Sequence, residues 1–155
     1  MKIAIMWLPT LTISPGARNF FENLGQFDFD GLPTDAGIYV FGRQHGAKID
    51  PIYVGKAENL RSRIKGQRNN LRLMHALNES KSGKRILLIG TVKPSQNQTL
   101  AKILPIAERA HIRAALAAGC ALVNKQGTKT KTHVIETVGR RSRNLPFERH
   151  ILASQ

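Results

Sequence analysis

Acidic residues are scarce in this chain: 10 Asp and Glu stand against 24 Lys and Arg in 155 residues, a formal net charge of +14. That imbalance argues against a cationic partner and points to a polyanion, most simply nucleic acid. Cysteine is rarer still. Cys120 is the single one, so no internal disulfide forms, and its alanine- and leucine-rich setting predicts a buried, unreactive thiol in a reducing compartment such as the cytoplasm. Long apolar runs are missing as well: IAIMWL, ILLIG and AALAAGCALV fall short of the about 20 residues that a membrane helix needs. The opening segment lacks a small-residue cleavage site and predicts no signal peptide. Histidines stand at 45, 75, 111, 133 and 150 without metal-ligand spacing, which argues against zinc.

What is present suits one folded domain, with 41% hydrophobic residues. The excess charge is uneven. Residues 1–36 carry two bases and four acids, whereas 56–85 carry nine bases and two acids, and 125–155 carry seven and two. Three stretches are expected: a strand-and-helix lead-in over 1–36 packed on the core, a core over 37–124, and a basic C-terminal extension over 125–155. KIAIMWL reads as a strand ended by Pro9, and ARNFFENLG as a short helix stopping at Gly25. GIYVFGR and PIYVG read as two strands joined by a long turn over 42–50. AENLRSRIKGQR carries Leu60 and Ile64 at helical spacing, and NNLRLMHALNES continues as a second helical piece. KRILLIGTV reads as a buried strand. A long helix follows with Pro105 as its first residue and Gly119 as its stop, and THVIETV as a late strand. The class is α+β: a small mixed or antiparallel sheet opened by a β-hairpin and flanked by helices.

Two tyrosines stand out. Ile38 and Val40 alternate with Tyr39 and Phe41, and Ile52 and Val54 flank Tyr53. With the aliphatics on the core, both phenols share the opposite face within cross-strand reach. Two strand tyrosines alone are ordinary packing residues. Here they belong to an ordered set: GIY at 37–39, YVG at 53–55, then Arg63 on the next helix, Glu108 on the helix after KRILLIG, and Asn124 beyond it.

This order resembles the GIY-YIG nuclease family, which includes homing endonucleases, some restriction enzymes and the incision domain of a nucleotide-excision repair protein. The resemblance spans residues 37–124. It implies a GIY-YIG-like fold and metal-dependent hydrolysis of DNA, with Tyr39, Tyr53, Arg63, Glu108 and Asn124 as site residues and Glu108 holding Mg²⁺ or Mn²⁺. It also implies that one tyrosine acts as general base and that Asn124 braces the wall of the site. The chemistry of these residue types agrees. Glu108 is the only carboxylate between Glu79 and Glu136, and one carboxylate suits a single hard cation that keeps several waters. Arginine's forked donors suit a scissile phosphate better than lysine. A phenol with its ordinary pKa near 10 needs neighbouring cations to act as a base. Without the motif, Glu108 reads as a helical surface acid pairing with Arg113, and Asn124 as a turn residue.

One departure bears on mechanism. Many members of that family place a histidine or tyrosine one helical turn after the arginine, where this chain has Gln67, which cannot act as a base. Either water and the tyrosines suffice, or His75 or Lys56 substitutes, or activity is reduced. Lys56, Arg61, Lys65, Arg68 and Arg72 around the active helix, with Arg43 and Lys48 in the turn, are the candidate nucleic-acid contacts. RRSR at 140–143 is a candidate groove-contacting arm. Cutting both DNA strands calls for a homodimer or two sequential nicks. The alternatives are a non-catalytic nucleic-acid-binding module retaining the fold and basic face, and a ribosome-associated basic protein.

Overall fold

In strand β1 (Lys2–Trp7) Ile3, Ile5 and Trp7 are buried while their neighbours are exposed, the period of two that a strand with one face on a core demands. The computed structural model describes residues 1–124 and the backbone of two later strands, 132–138 and 150–154. The RRSR segment lies outside the described residues. After β1 come β2 (Leu11–Ser14), α1 (Phe20–Gln26), β3 (Gly37–His45), β4 (Lys48–Ala57), α2 (Leu60–Gly66), α3 (Leu71–Glu79), β5 (Lys84–Val92), α4 (Leu100–Ala117), β6 (Thr132–Val138) and β7 (His150–Ser154). They build an α+β fold on a seven-stranded sheet of order β4-β3-β5-β1-β6-β7, with β2 also paired to β5. The β1–β6 pair is parallel and the others antiparallel.

Both lateral stretches enter this sheet. The lead-in supplies β1, which lies between β5 and β6, so it is an interior strand as well as packing for the core. The basic extension contributes β6 and β7. Both faces of the β3–β5 region are covered. Ile38, Val40, Val54, Ile86 and Leu88 pack with Ile103, Leu104, Ala107 and Ala110 of α4. Tyr39, Phe41, Leu87 and Ile89 pack on the other face with Phe20, Leu60, Ile64, Leu73 and Leu77 of the three shorter helices. Both halves of the alternation in GIYVF are therefore core.

Four expectations are corrected. The turn over 42–50 is short: β3 and β4 run on to a closing pair of His45 and Lys48. The register shifts between Phe41↔Tyr53 and Gly42↔Pro51, leaving Ile52 as an extra residue. This bulge puts Ile52 and Tyr53 on the same side of the sheet, so Ile52 sides with the tyrosines and not with Val54. Pro51 is tolerated there because the bulge lies on an edge strand. Pro105 sits inside α4 rather than at its start. The turn ahead of it is held by Ile103 and Leu104 in the core and by bonds of 3.1 and 3.0 Å from the Lys102 and Ile103 amides to the Thr99 carbonyl. Gly119 does end the helix. Its φ of 86° allows its amide to reach the Leu116 carbonyl and that of Cys120 the Ala115 carbonyl, both at 3.0 Å. Cys120 is half-buried rather than a core residue; it lines a second cleft with Arg43 and Asp50.

Arg85 is fully buried on β5 and ties α3 to the sheet. Its guanidinium donates to the carbonyls of Leu77 (2.9 Å), Ser80 (2.5 Å), Lys81 (2.9 Å) and Gly83 (2.7 Å), which satisfies the end of α3 and the loop behind it. Arg85→Met leaves these carbonyls without their donor, that of Leu77 in a buried setting, and is expected to lower unfolding free energy by about 2–4 kcal/mol in urea titration. Arg85→Lys should recover only part of it, since an ammonium has fewer donors and no fork.

Candidate active site at the edge of strand β4

Tyr39 stands opposite Gly55, and Tyr53 opposite Phe41, so the two phenols are diagonal neighbours on one face. Their rings stack with centroids 6.2 Å apart at 20°. Gly55 makes this possible: a Cβ there would meet Cζ and Oη of Tyr39. The glycine in YVG thus clears the space that the tyrosine in GIY fills. Tyr39 is 1% exposed, whereas Tyr53 is half-buried.

A buried hydroxyl needs a partner, and Gln67 supplies it. Its Nε2 donates to Tyr39 Oη at 2.5 Å and more weakly to Tyr53 Oη at 3.4 Å. The position that sequence reading treats as a departure is therefore in contact with both phenols. Burial raises the Tyr39 hydroxyl well above the usual phenol range; the Gln67 bond and the Arg63 charge act against it. His75 is exposed on α3 and bonds Glu79 at 3.0 Å, so it does not substitute at this place.

Arg63 is exposed on α2, and its guanidinium acts electrostatically on Tyr39 and on Glu108 alike. Glu108 is buried one turn beyond Leu104 on α4, with Oε2 3.8 Å from Lys56 Nζ. Burial raises its carboxyl above the ordinary range, while Lys56, Arg109 and Arg63 pull it back. Lys56, Arg63, Gln67, Leu104 and Pro105 line one open cleft of about 690 Å³. α2 and α4 cover opposite faces of the sheet, so a cleft lined by both lies where the sheet stops, at edge strand β4. Asn124 closes that edge from outside. Its Oδ1 accepts from the Val54 amide at 3.1 Å and its Nδ2 donates to the Val54 carbonyl, copying a neighbouring strand. Beside it the Val123 amide donates to Ile52 at 2.8 Å.

The donor set suits a hard cation with few protein ligands. Tyr39, Tyr53 and Glu108 do not themselves line the cleft: Glu108 stands 3.8 Å behind Lys56, which does, and Glu58 is the carboxylate among the lining residues. Mg²⁺ is commonly bound by one or two carboxylates completed by water and phosphate oxygens. No cluster of three or more His, Cys, Asp and Glu occurs among the described residues.

The candidate nucleic-acid contacts divide. Lys56 lines the cleft, and Arg72 is exposed on α3 beyond it. Arg61 donates to the Leu32 carbonyl at 2.7 Å, Lys65 pairs with Asp30 at 2.9 Å, and Arg68 lies 4.9 Å from the Phe29 ring centroid. Arg43 and Lys48 belong to the far end of the hairpin, where they pair with Asp50 at 2.7 and 3.5 Å. Gln67 and its neighbour Asn70 were not singled out as binding or catalytic groups by sequence reading; the one signal was an asparagine just ahead of a helical apolar pattern, which marks a cap.

The raised Glu108 carboxyl makes a pH-dependent prediction. A carboxyl whose pKa is higher folded than unfolded adds no penalty below its ordinary pKa, and its full penalty once pH exceeds the folded value. Glu108→Gln is expected to raise Tm by a few degrees near pH 7 and to leave it unchanged at about pH 3, read by thermal melts across pH. The chain matches no known protein family, no curated protein and no solved structure, so its functional reading rests on its own residues and their geometry.

Proposed function

We propose that the protein is a metal-dependent endonuclease of the GIY-YIG type that hydrolyses DNA phosphodiester bonds in the cleft beside β4. One observation carries the reading: Arg63, Lys56 and Gln67 line one cleft at the edge where helices from opposite faces meet, with the buried Tyr39 hydroxyl bonded to Gln67 and the buried Glu108 carboxylate 3.8 Å from Lys56. A packing tyrosine pair has no need of a free guanidinium, and a surface acid has no need of burial.

In this reading Arg63 holds two non-bridging oxygens of the scissile phosphate. The phenols orient the attacking water and take its proton, with Gln67 and Arg63 offsetting part of the cost that burial places on a phenolate. Glu108 is the ligand for Mg²⁺ or Mn²⁺, which when bound supplies positive charge to the phosphate and the leaving oxygen. Lys56 partly compensates the carboxylate in the absence of another cation. Asn124 keeps the edge of β4, and with it Tyr53, in register. In-line attack of water at phosphorus breaks the P–O3′ bond and leaves 5′-phosphate and 3′-hydroxyl ends.

A supercoiled-plasmid digest with Mg²⁺, Mn²⁺ or chelator tests this. Nicking is expected with either metal and none with chelator, and Arg63→Ala and Glu108→Ala should each lower its rate by about 10²–10³-fold or more. Gel-shift affinity for the same DNA should change by less than about tenfold in Glu108→Ala, because that side chain is buried. Cutting that persists in Glu108→Ala overturns its role. Tight binding with no cutting under any metal leaves a non-catalytic nucleic-acid-binding module.

A further inference from the structure

A chain of hydrogen bonds runs from the start of α3 to the two phenols, and its direction is fixed at one end. The backbone amide of Leu73 can only donate, and it donates to Asn70 Oδ1 at 3.1 Å. Asn70 is the N-cap of α3, so this bond also satisfies an otherwise unpaired helix amide. With Oδ1 committed, Asn70 presents Nδ2, which donates to Gln67 Oε1 at 2.9 Å. With Oε1 committed, Gln67 presents Nε2, whose two hydrogens are directed at Tyr39 Oη and Tyr53 Oη at 2.5 and 3.4 Å. Each amide has two faces of opposite polarity, and one backbone N–H selects the face at every step.

We infer that Asn70 is a positioning residue for the phenol pair: by holding the Gln67 amide in one of its two orientations, it makes both phenolic oxygens acceptors of N–H bonds. Each hydroxyl proton is then turned away from Gln67. A reversed amide would present Oε1, capture a hydroxyl proton and disfavour loss of that proton. The titratable groups facing Tyr39 are Tyr53 on β4 and Arg63 on α2. Neither fixes the amide, since one is itself a phenol and the other acts through its charge. The device accounts for glutamine at 67. An amide held this way gives a permanent donor that does not titrate, where an imidazole would exchange donor for acceptor as pH changes. The catalytic meaning of the inference rests on the nuclease reading; the bond direction does not.

Asn70→Asp isolates it. Aspartate caps a helix as well as asparagine does, so the Leu73 bond survives, but an acceptor replaces the donor to Gln67. The amide should turn over to donate to the new carboxylate. In the wild-type protein without DNA or metal, ¹⁵N-edited NOESY should show the Gln67 side-chain amide protons beside the Tyr39 ring protons. In Asn70→Asp those cross-peaks should vanish, with Tm within about 2 °C of the wild type. In plasmid nicking the variant should lose about tenfold or more in kcat at unchanged KM, and its pH–rate profile should move up by about one unit. Asn69→Asp is the charge control: Asn69 is exposed next to the cap, and the same charge there should produce neither change. Persistence of the Gln67–Tyr39 cross-peaks in Asn70→Asp overturns the inference, as does an equal shift of rate and pH profile in Asn69→Asp. Loss of the cross-peaks in a protein that never cuts DNA supports the hydrogen-bond chain and removes the nuclease reading alone.

Discussion

A phenol buried to 1% exposure must find a hydrogen-bond partner inside the protein, and the region around the cleft is arranged about that requirement for Tyr39. Its ring takes the space above Gly55, which sets how closely β4 approaches. Its hydroxyl needs a donor at a fixed place, and Gln67 stands there only because α2 ends at Gly66 and passes into a 3-10 turn. That turn in turn brings Asn70 to the cap of α3. An unpaired hydroxyl at this depth would cost about 1–3 kcal/mol, enough to keep two helix ends and one strand in register. The same bonds that stabilise the fold set the chemistry of the cleft.

Electrostatics works on the opposite face by the reverse logic. Glu108 is a buried acid in a strongly basic protein, and burial outweighs the neighbouring cations in setting its carboxyl. Lys56 gives it partial compensation at 3.8 Å, longer than a direct hydrogen bond. A carboxylate held this way is poorly compensated, as expected of a ligand awaiting a stronger cation. Much of the remaining basic charge has structural work. Arg43 joins the hairpin to the Ser82 carbonyl at 2.6 Å, Arg61 holds the Leu32 segment, and Lys65 tethers Asp30. A net charge of +14 therefore overstates how many cations are at liberty to meet a polyanion.

Legibility followed the range of the interactions. β1, β3, β5, α2 and α3 appear at their expected places because side-chain period and capping are local properties. The bulge at Ile52 was not legible, since alternation across IYV looks unbroken and only pairing with β3 shows the extra residue. Pro105 inside α4 was hidden for a similar reason: what holds the preceding turn is its burial against a sheet that the helix sequence does not describe. Of the candidate site, Tyr39, Tyr53, Arg63, Glu108 and Asn124 were singled out by type and order. The Gln67–Asn70 link was not, because it depends on which face of an amide is turned inward, a property that exists only once the neighbours are in place.

The position of the cleft follows from topology. Within the β3–β5 region both sheet faces are covered, so a ligand approaching there would meet aliphatic side chains. At the margin of β4, α2 and α4 leave a gap lined by groups from both sides. An exposed edge is also an invitation to pair with a foreign strand. Asn124 and Val123 occupy that edge with three hydrogen bonds to Ile52 and Val54, leaving the end at Lys56 and Ala57 open. One short segment thus blocks strand addition next to Tyr53 while the end where Arg63 and Lys56 lie stays open, so protecting the edge and leaving the opening go together.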